Sequence, residues 1–144
     1  LSDEEMRLVI EKESDPEMKQ AYTEMLEGSL SNPDKRIWYA IWNMELKDDP
    51  EIIAGDFCFK GLGDDGVIEI GYGLKEEYRH HGYMTEAVIA ITEWALSQDG
   101  VKQVEAETDA ENIASQKVLF RSGFVSNGKM GEEGPRFVYE DIYR

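Results

Sequence analysis

VIEIGYGLKEEYRHHGYMTEAVIAITEWALSQ, residues Val67 to Gln98, holds the clearest structural pattern in this chain. Its apolar and β-branched start predicts a strand over Val67–Leu74. A polar turn containing Gly82 follows, and apolar residues then recur at spacings of three and four, which predicts a helix to about Gln98. The recurring residues are Met84, Ala87, Val88, Ile91, Trp94 and Ala95. A strand, a glycine-containing turn and a helix N-terminus together favour phosphate binding, because the first-turn amides lack intrahelical partners and lie at the positive end of the macrodipole.

A glycine between a strand and a helix is a weak signal, since an ordinary β–α connection with an exposed basic turn also contains one. The residues of this turn are more specific. Arg79-x-x-Gly82-x-Met84 resembles the R/Q-x-x-G-x-G/A acetyl-CoA signature of the GNAT superfamily of N-acetyltransferases. One position departs from the signature, because Met84 stands where the family has a small residue.

A second block resembles the same superfamily. Asn112-x-x-Ser115, followed by Gly123-Phe124, matches the next motif of the superfamily in order and in spacing. The EIGY before the turn and the N-x-x-S after it are similar to the branch that includes the ribosomal-protein-alanine acetyltransferases (RimJ/RimL-like). The resemblance covers about residues 36–143.

The resemblance implies an α/β fold of the GNAT type, a mixed, twisted sheet of about six strands flanked by helices. We expect one GNAT acetyltransferase domain over residues 1–144. Folds of this family begin with a strand, and the first strand is expected here to be missing or very short. The chain instead opens with a capping box at Ser2, and a second helix is predicted from Pro16 to an end at Gly28.

The remaining elements follow from local patterns. The predicted strands span residues 36–44, 52–60, 67–74, 101–108, 124–125 and 136–143. The first three would form a meander, with a hairpin turn over residues 47–50. The fourth would pair with the third through a β–α–β crossover. A helix is predicted to begin at Asn112 and to be closed by Gly123.

The chain is strongly acidic, with 31 acidic against 15 basic residues and a net charge of −16. This charge disfavours binding to nucleic acid or to an anionic membrane, and it would attract a cationic acceptor; it is equally typical of a merely soluble protein. Coenzyme A is itself polyanionic, so its pocket must oppose the overall charge. The basic residues near the two motifs are Lys75, Arg79, Lys117 and Arg121.

The same composition predicts a cytoplasmic protein. No apolar run approaches a transmembrane length, and the chain opens without an apolar or basic leader. Its one cysteine, Cys58, excludes an internal disulfide and is predicted to lie in the core rather than to act as a nucleophile. The two histidines, His80 and His81, are predicted to lie beside phosphate or in solvent, and no metal site is expected. A monomer or a homodimer is expected.

The resemblance implies an enzyme that uses acetyl-CoA as cosubstrate. The acetyl group would pass directly, in a ternary complex, to a primary amine such as a protein N-terminus or a small amine. In this fold the pantetheine arm lies between the strands before and after the main helix, here Val67–Leu74 and Val101–Thr108. The residues assigned to the cofactor are Tyr72, Gly73, Leu74, Arg79, His80, His81, Gly82, Tyr83, Met84, Thr85, Asn112 and Ser115.

Glu69 is the candidate general base, because it lies mid-strand between two isoleucines where partial burial would raise its pKa towards the working range. The alternative is a solvent-facing residue on a half-exposed strand, and Glu105 and Glu107 are weaker candidates. Asn112 is the second candidate catalytic residue. It can cap its helix, and the family implies that it, or a water it holds, contacts the pantetheine.

Leu119 occupies the position where the family usually has a tyrosine as general acid, seven residues after Asn112. The leaving thiolate would then be protonated by solvent or leave unprotonated. Leu119 and Met84 also favour an alternative, a catalytically weak or inactive acyl-CoA-binding regulatory domain. A generic nucleotide-binding α/β domain is the third possibility, and the meander before the turn argues against it.

Overall fold

The computed structural model describes residues 1–79 and 81–139. The helices are α1 (Asp3–Lys12), α2 (Pro16–Ser31), α3 (Tyr83–Leu96) and α4 (Ile113–Arg121). The strands are β1 (Ile41–Leu46), β2 (Asp49–Phe59), β3 (Val67–Leu74), β4 (Gln103–Glu107), β5 (Phe124–Met130) and β6 (Pro135–Tyr139). They form one mixed sheet in the order β1-β2-β3-β4-β6-β5, in which only β3 and β4 pair in parallel. The predicted fold class, meander and crossover are confirmed.

The two faces of the sheet are covered by different helices. Ile41 of β1 packs with Met6 of α1 and Tyr22 of α2. On the opposite face, Ile70 of β3 belongs to the larger core, which also contains Val88 of α3. The structure is therefore a three-layer arrangement in which α1 and α2 cover one face, and α3 and α4 cover the other.

The parallel pair separates at one end. Its register runs over four positions, from Val67↔Gln103 to Ile70↔Ala106. Beyond Ile70, β3 continues to pair with β2 as far as Leu74, whereas β4 pairs with β6. Residues 71–74 of β3 thus have β2 on one edge and, within the described residues, no strand on the other.

The local caps follow the sequence. Ser2 and Glu5 form the predicted capping box, and Asp15 caps α2 with Pro16 in its first turn. At the other end of the chain, Gly123 has a φ of 97°, as expected for a residue that closes a helix in the left-handed conformation.

Several predicted boundaries were wrong. Residues 33–38 form a 3₁₀ helix that begins at Pro33, so β1 starts only at Ile41 rather than at residue 36. The hairpin turn is shorter than predicted, because residues 49–50 already belong to β2. Helix α2 also runs past Gly28 to Ser31. Gly28 serves close packing instead, since a Cβ there would lie 2.6 Å from Cδ1 of Tyr39.

Candidate active site

A cavity of about 610 Å³ lies between the end of β3, the N-terminus of α3, and α4. Its volume falls within the range of small-molecule and cofactor sites. The predicted cofactor residues that line it are Tyr72, Gly73, Leu74, Arg79, Gly82, Tyr83, Met84, Thr85, Asn112 and Ser115. Two segments that are distant in sequence, within residues 72–85 and 112–115, are therefore brought to one site. The cavity also has an apolar lining from α4 that was not predicted, formed by Ile113, Ala114 and Val118. The spacing of the last two marks one face of α4.

The N-terminus of α3 is open towards this cavity. Its N-cap is Gly82, which has a φ of 76° and no side chain with which to cap the helix. A Cβ at Gly82 would meet no atom within 4 Å. The first-turn amides therefore adjoin empty space at the positive end of the helix, which fits an anionic group held by main-chain hydrogen bonds.

The free edge of β3 supplies further main-chain groups. In an antiparallel pair, successive residues direct their N–H and C=O groups alternately towards the partner strand and away from it. Lys75 donates to Ala54 O and Lys60 donates to Glu69 O, which fixes the phase of this alternation between β2 and β3. Tyr72 and Leu74 therefore direct both groups away from β2, into the gap left by β4. The main-chain groups of Gly73 face β2.

The electrostatic character of the cavity opposes that of the whole chain. Arg79, Lys117 and Arg121 line it, and none of its described lining residues is acidic. Lys75 is not among the lining residues. In a chain with a net charge of −16, this local excess of positive charge suits a polyanionic ligand.

A hydrogen-bonded chain connects β3 with α4 across the cavity. The hydroxyl of Tyr72 lies 2.9 Å from Ser115 Oγ. The amide of Ser115 donates to Asn112 Oδ1 at 3.0 Å, so Asn112 caps α4 as predicted and still has Nδ2 as a donor. Burial raises the pKa of Tyr72, while the hydrogen bond to Ser115 opposes that rise. The Tyr72 hydroxyl is consequently protonated near neutral pH.

The two departures from the family pattern are both core residues. Met84 is 6% exposed and packs in the main core, so its side chain is accommodated although Met84 also lines the cavity. Leu119 is fully buried in the same core. Position 119 therefore offers no proton donor.

Glu69 lies outside the cavity, in the part of β3 that still pairs with β4. One carboxylate oxygen is 2.8 Å from Arg136 Nη2, and the other is 2.5 Å from Lys60 Nζ. Arg136 also pairs with Glu107 at 2.8 Å. Glu69 is half-buried, as expected, but its charge is already balanced by two cations.

Two other residues considered from the sequence, His81 and Cys58, are not among the residues that line the cavity. His81 is exposed and its ring stacks on that of Tyr83 at 5.3 Å, whereas His80 lies outside the described residues. Burial raises the pKa of Cys58 to about 11, which keeps the thiol protonated and agrees with a structural role. Across residues 1–79 and 81–139, no three His, Cys, Asp or Glu side chains are grouped to hold a metal ion. Among the helices formed by these residues, none is long and apolar enough to cross a membrane.

Comparison with known proteins identifies the family. The family model described as "Acetyltransferase (GNAT) domain" matches residues 1–125. The uncharacterised N-acetyltransferase YjdG of Bacillus subtilis is 35% identical over 91 residues, which are 63% of this chain and 54% of YjdG. The chain spans about half the length of the curated relatives it matches.

Solved structures of low sequence identity share the fold. RimL, a ribosomal L7/L12 α-N-protein acetyltransferase in complex with coenzyme A, superposes with a TM-score of 0.70 at 15% identity, covering 96% of this chain and 89% of RimL. A chimera of the spermidine N-acetyltransferase SpeG from Vibrio cholerae and hSSAT gives a TM-score of 0.71 at 11% identity, covering 96% and 92%.

Proposed function

Because the chain belongs to the family of GNAT acetyltransferase domains, we propose that it is an acetyl-CoA-dependent N-acetyltransferase acting on a primary amine. The acceptor would be a protein N-terminus or a small amine, and transfer would be direct within a ternary complex. The cavity between β3, α3 and α4 is the observation that carries the proposal. It combines an uncapped helix N-terminus, a free strand edge and three basic side chains in an acidic chain.

Each part of the cavity suits one part of acetyl-CoA. The amides of residues 83–85 and the side chain of Arg79 would hold the pyrophosphate. Tyr72 and Leu74 would offer main-chain groups to the pantetheine arm, and Asn112 Nδ2 would donate to it from the other side. Lys117 and Arg121, one helical turn apart on α4, would lie beside the remaining phosphate. The cosubstrate supplies an activated acyl group as a thioester.

Several features favour an amine acceptor. The overall charge of −16 attracts cations, and the folds of RimL and the spermidine acetyltransferase are shared. An α-amine, with a reference pKa of about 7.7–8.0, needs less help to lose its proton than a lysine amine at about 10.4. Glu69 stays the sequence-based prediction for the base, although it would have to act while bound to Arg136 and Lys60.

A non-catalytic acyl-CoA-binding domain is the second candidate. Two observations favour it: Leu119 is in the core where a proton donor would stand, and Glu69 is balanced by two ion pairs. Such a domain would bind acetyl-CoA without consuming it.

Two measurements test the proposal. Millimolar acetyl-CoA is expected to raise the unfolding temperature by mass action, whereas ATP and NAD are expected to leave it unchanged. Release of free thiol from acetyl-CoA is then measured with peptides bearing a free N-terminus, with spermidine and other polyamines, and with amino sugars. No stabilisation by acetyl-CoA would refute both candidates. Stabilisation without thiol release with any acceptor would favour the binding domain.

A further inference from the structure

Asp56 of β2 lies beside the part of β3 that has separated from β4. Its register partner is Gly73. An ideal Cβ placed on Gly73 would lie 3.4 Å from Asp56 Oδ1. Tyr22 of α2 donates a hydrogen bond to Asp56, so this side chain lies on the face covered by α1 and α2, opposite the cofactor cavity.

Gly73 can be approached from both faces of the sheet. It lines the cavity through its main chain, and it is exposed. Because it has no side chain, the α1/α2 face is open above it, and the nearest atom to a Cβ there is the Asp56 carboxylate itself. A group that approached Gly73 from the α1/α2 face would therefore contact Asp56, and only β3 would separate that group from the cavity.

Asp56 and Glu69 differ in position and in charge balance. Glu69 lies four residues before Gly73, about 13 Å along the strand, where β3 and β4 are still paired. Glu69 holds two cations, whereas Asp56 accepts a hydrogen bond from the neutral hydroxyl of Tyr22 at 3.2 Å. Within the described residues, Asp56 takes part in no ion pair.

The groups that face Asp56 leave its carboxylate without a counter-charge. Tyr22 faces it from α2, and burial, followed by the charge of Asp56, raises the pKa of Tyr22 to about 12. Cys58, on the same strand, is protonated, and the register partners Asn43 of β1 and Gly73 of β3 are uncharged. Burial raises the pKa of Asp56 above its ordinary value, while the hydrogen bond from Tyr22 opposes that rise. A raised pKa makes the carboxylate a better base near neutral pH.

We propose that Asp56 binds the ammonium group of the acceptor and accepts its proton, with Tyr22 holding the carboxylate in place. This inference rests on the proposed acetyl transfer. One proton passes from the ammonium nitrogen to the Asp56 carboxylate, and the freed lone pair forms the new N–C bond with the acyl carbon. The C–S bond breaks, and its electron pair leaves with the sulfur of coenzyme A as a thiolate. The second proton passes from nitrogen through solvent to the thiolate, which leaves a neutral amide, and Asp56 then returns its proton to solvent. Amine and thioester thus approach the separated end of β3 from opposite faces.

The test compares Asp56→Asn with Glu69→Gln, both of which keep the shape of the side chain and remove its basicity. Asp56→Asn is expected to bind acetyl-CoA as the wild type does and to lower kcat/KM for the amine by roughly 10²–10⁴-fold at pH 7. Part of the loss is expected to be recovered at higher pH, where more of the amine arrives neutral. The hydrogen bond from Tyr22 lowers the pKa of Asp56, so Tyr22→Phe removes that effect and the pKa of Asp56 rises. The acid limb of the kcat/KM profile is therefore expected to move to higher pH. A purely structural Tyr22 would leave that limb in place.

Thermal unfolding provides the control for folding. Because burial raises the Asp56 pKa in the folded state, ionisation above its ordinary value of 3.8 costs stability, and that cost is present at pH 7 but absent in acid below 3.8. Asp56→Asn is therefore expected to unfold at the same temperature as the wild type, or higher, at pH 7. If that variant fails to fold, Gly73→Ala replaces it, since the added methyl group would contact Asp56 at an ordinary distance and is expected to raise KM for the amine.

The outcomes separate the two proposals. Full activity of Asp56→Asn from pH 6 to 9, with a loss in Glu69→Gln, would overturn the role of Asp56 and leave acetyl transfer intact. A wild-type protein that releases no thiol with any amine would overturn the proposed function and, with it, this inference. A loss confined to Asp56→Asn would support both.

Discussion

Replacing Gly82 by alanine would test whether the main chain at the start of α3 binds the cofactor. Gly82 has a φ of 76°, a conformation that costs an alanine about 1–2 kcal/mol. That strain alone would lower the unfolding temperature by roughly 3–6 °C. The methyl group would meet no protein atom within 4 Å, so it would fill only the space above the first-turn amides. Losing one main-chain hydrogen bond to a charged group costs about 1.5–3 kcal/mol, which corresponds to roughly 10- to 150-fold weaker acetyl-CoA binding.

Gly128 provides a matched control for this experiment. It has a φ of 78°, and a Cβ there would also meet nothing within 4 Å, but it lies in β5 and does not line the cavity. Gly82→Ala and Gly128→Ala are therefore expected to lose similar stability without ligand. Only Gly82→Ala is expected to lose affinity for acetyl-CoA, as measured by isothermal titration calorimetry. Equal acetyl-CoA affinities in the two variants would show that the reasoning about the helix N-terminus is wrong.

Two further substitutions address the side chains of the cavity. Arg79→Ala is expected to weaken acetyl-CoA binding about two- to fivefold, because an exposed charge contributes about 1 kcal/mol or less. This loss is smaller than that expected for Gly82→Ala, and it should decrease further at high salt. A larger loss than that of Gly82→Ala would favour a site built from side chains. Tyr72→Phe removes the 2.9 Å contact with Ser115 Oγ and is expected to cost about 0.5–1.5 kcal/mol of stability in chemical denaturation. An unchanged denaturation midpoint for Tyr72→Phe would mean that this contact does not hold α4 to β3.

Local patterns predicted the elements that depend on neighbours in sequence. The periodicity after Gly82 and the apolar run before it define α3 and β3, and the caps at Ser2 and Asn112 are formed as predicted. The strand predicted over residues 36–44 began too early, because aromatic and β-branched residues also occur in the 3₁₀ helix before β1, where Trp38 is buried. Composition alone does not distinguish these two uses of the same residues.

The features that depend on pairing could not be predicted from the sequence. The resemblance implied a gap between two strands, but which main-chain groups face that gap follows from the register of β3 with β2. Likewise, no local sequence pattern indicates a role for Asp56. Its position matters only because Gly73 is its register partner and because the pairing of β3 with β4 ends at Ile70. The partners of Glu69 are Lys60, which directly follows β2, and Arg136 of β6, which is 67 residues away in sequence.

The proposed direct transfer, without an acyl-enzyme, agrees with the placement of the one thiol. Cys58 pairs with Gly71, and a Cβ on Gly71 would lie 3.0 Å from Cys58 Sγ, so the thiol is packed against the main chain of β3. It lies on the α1/α2 face, away from the cavity, and burial raises its pKa to about 11, which leaves little thiolate at pH 7. Cys58→Ser is therefore expected to retain activity, and initial-rate plots for acetyl-CoA and amine are expected to intersect. Parallel lines, or an acetyl group found on Cys58 by mass spectrometry, would contradict a reaction in which amine and thioester meet directly across β3.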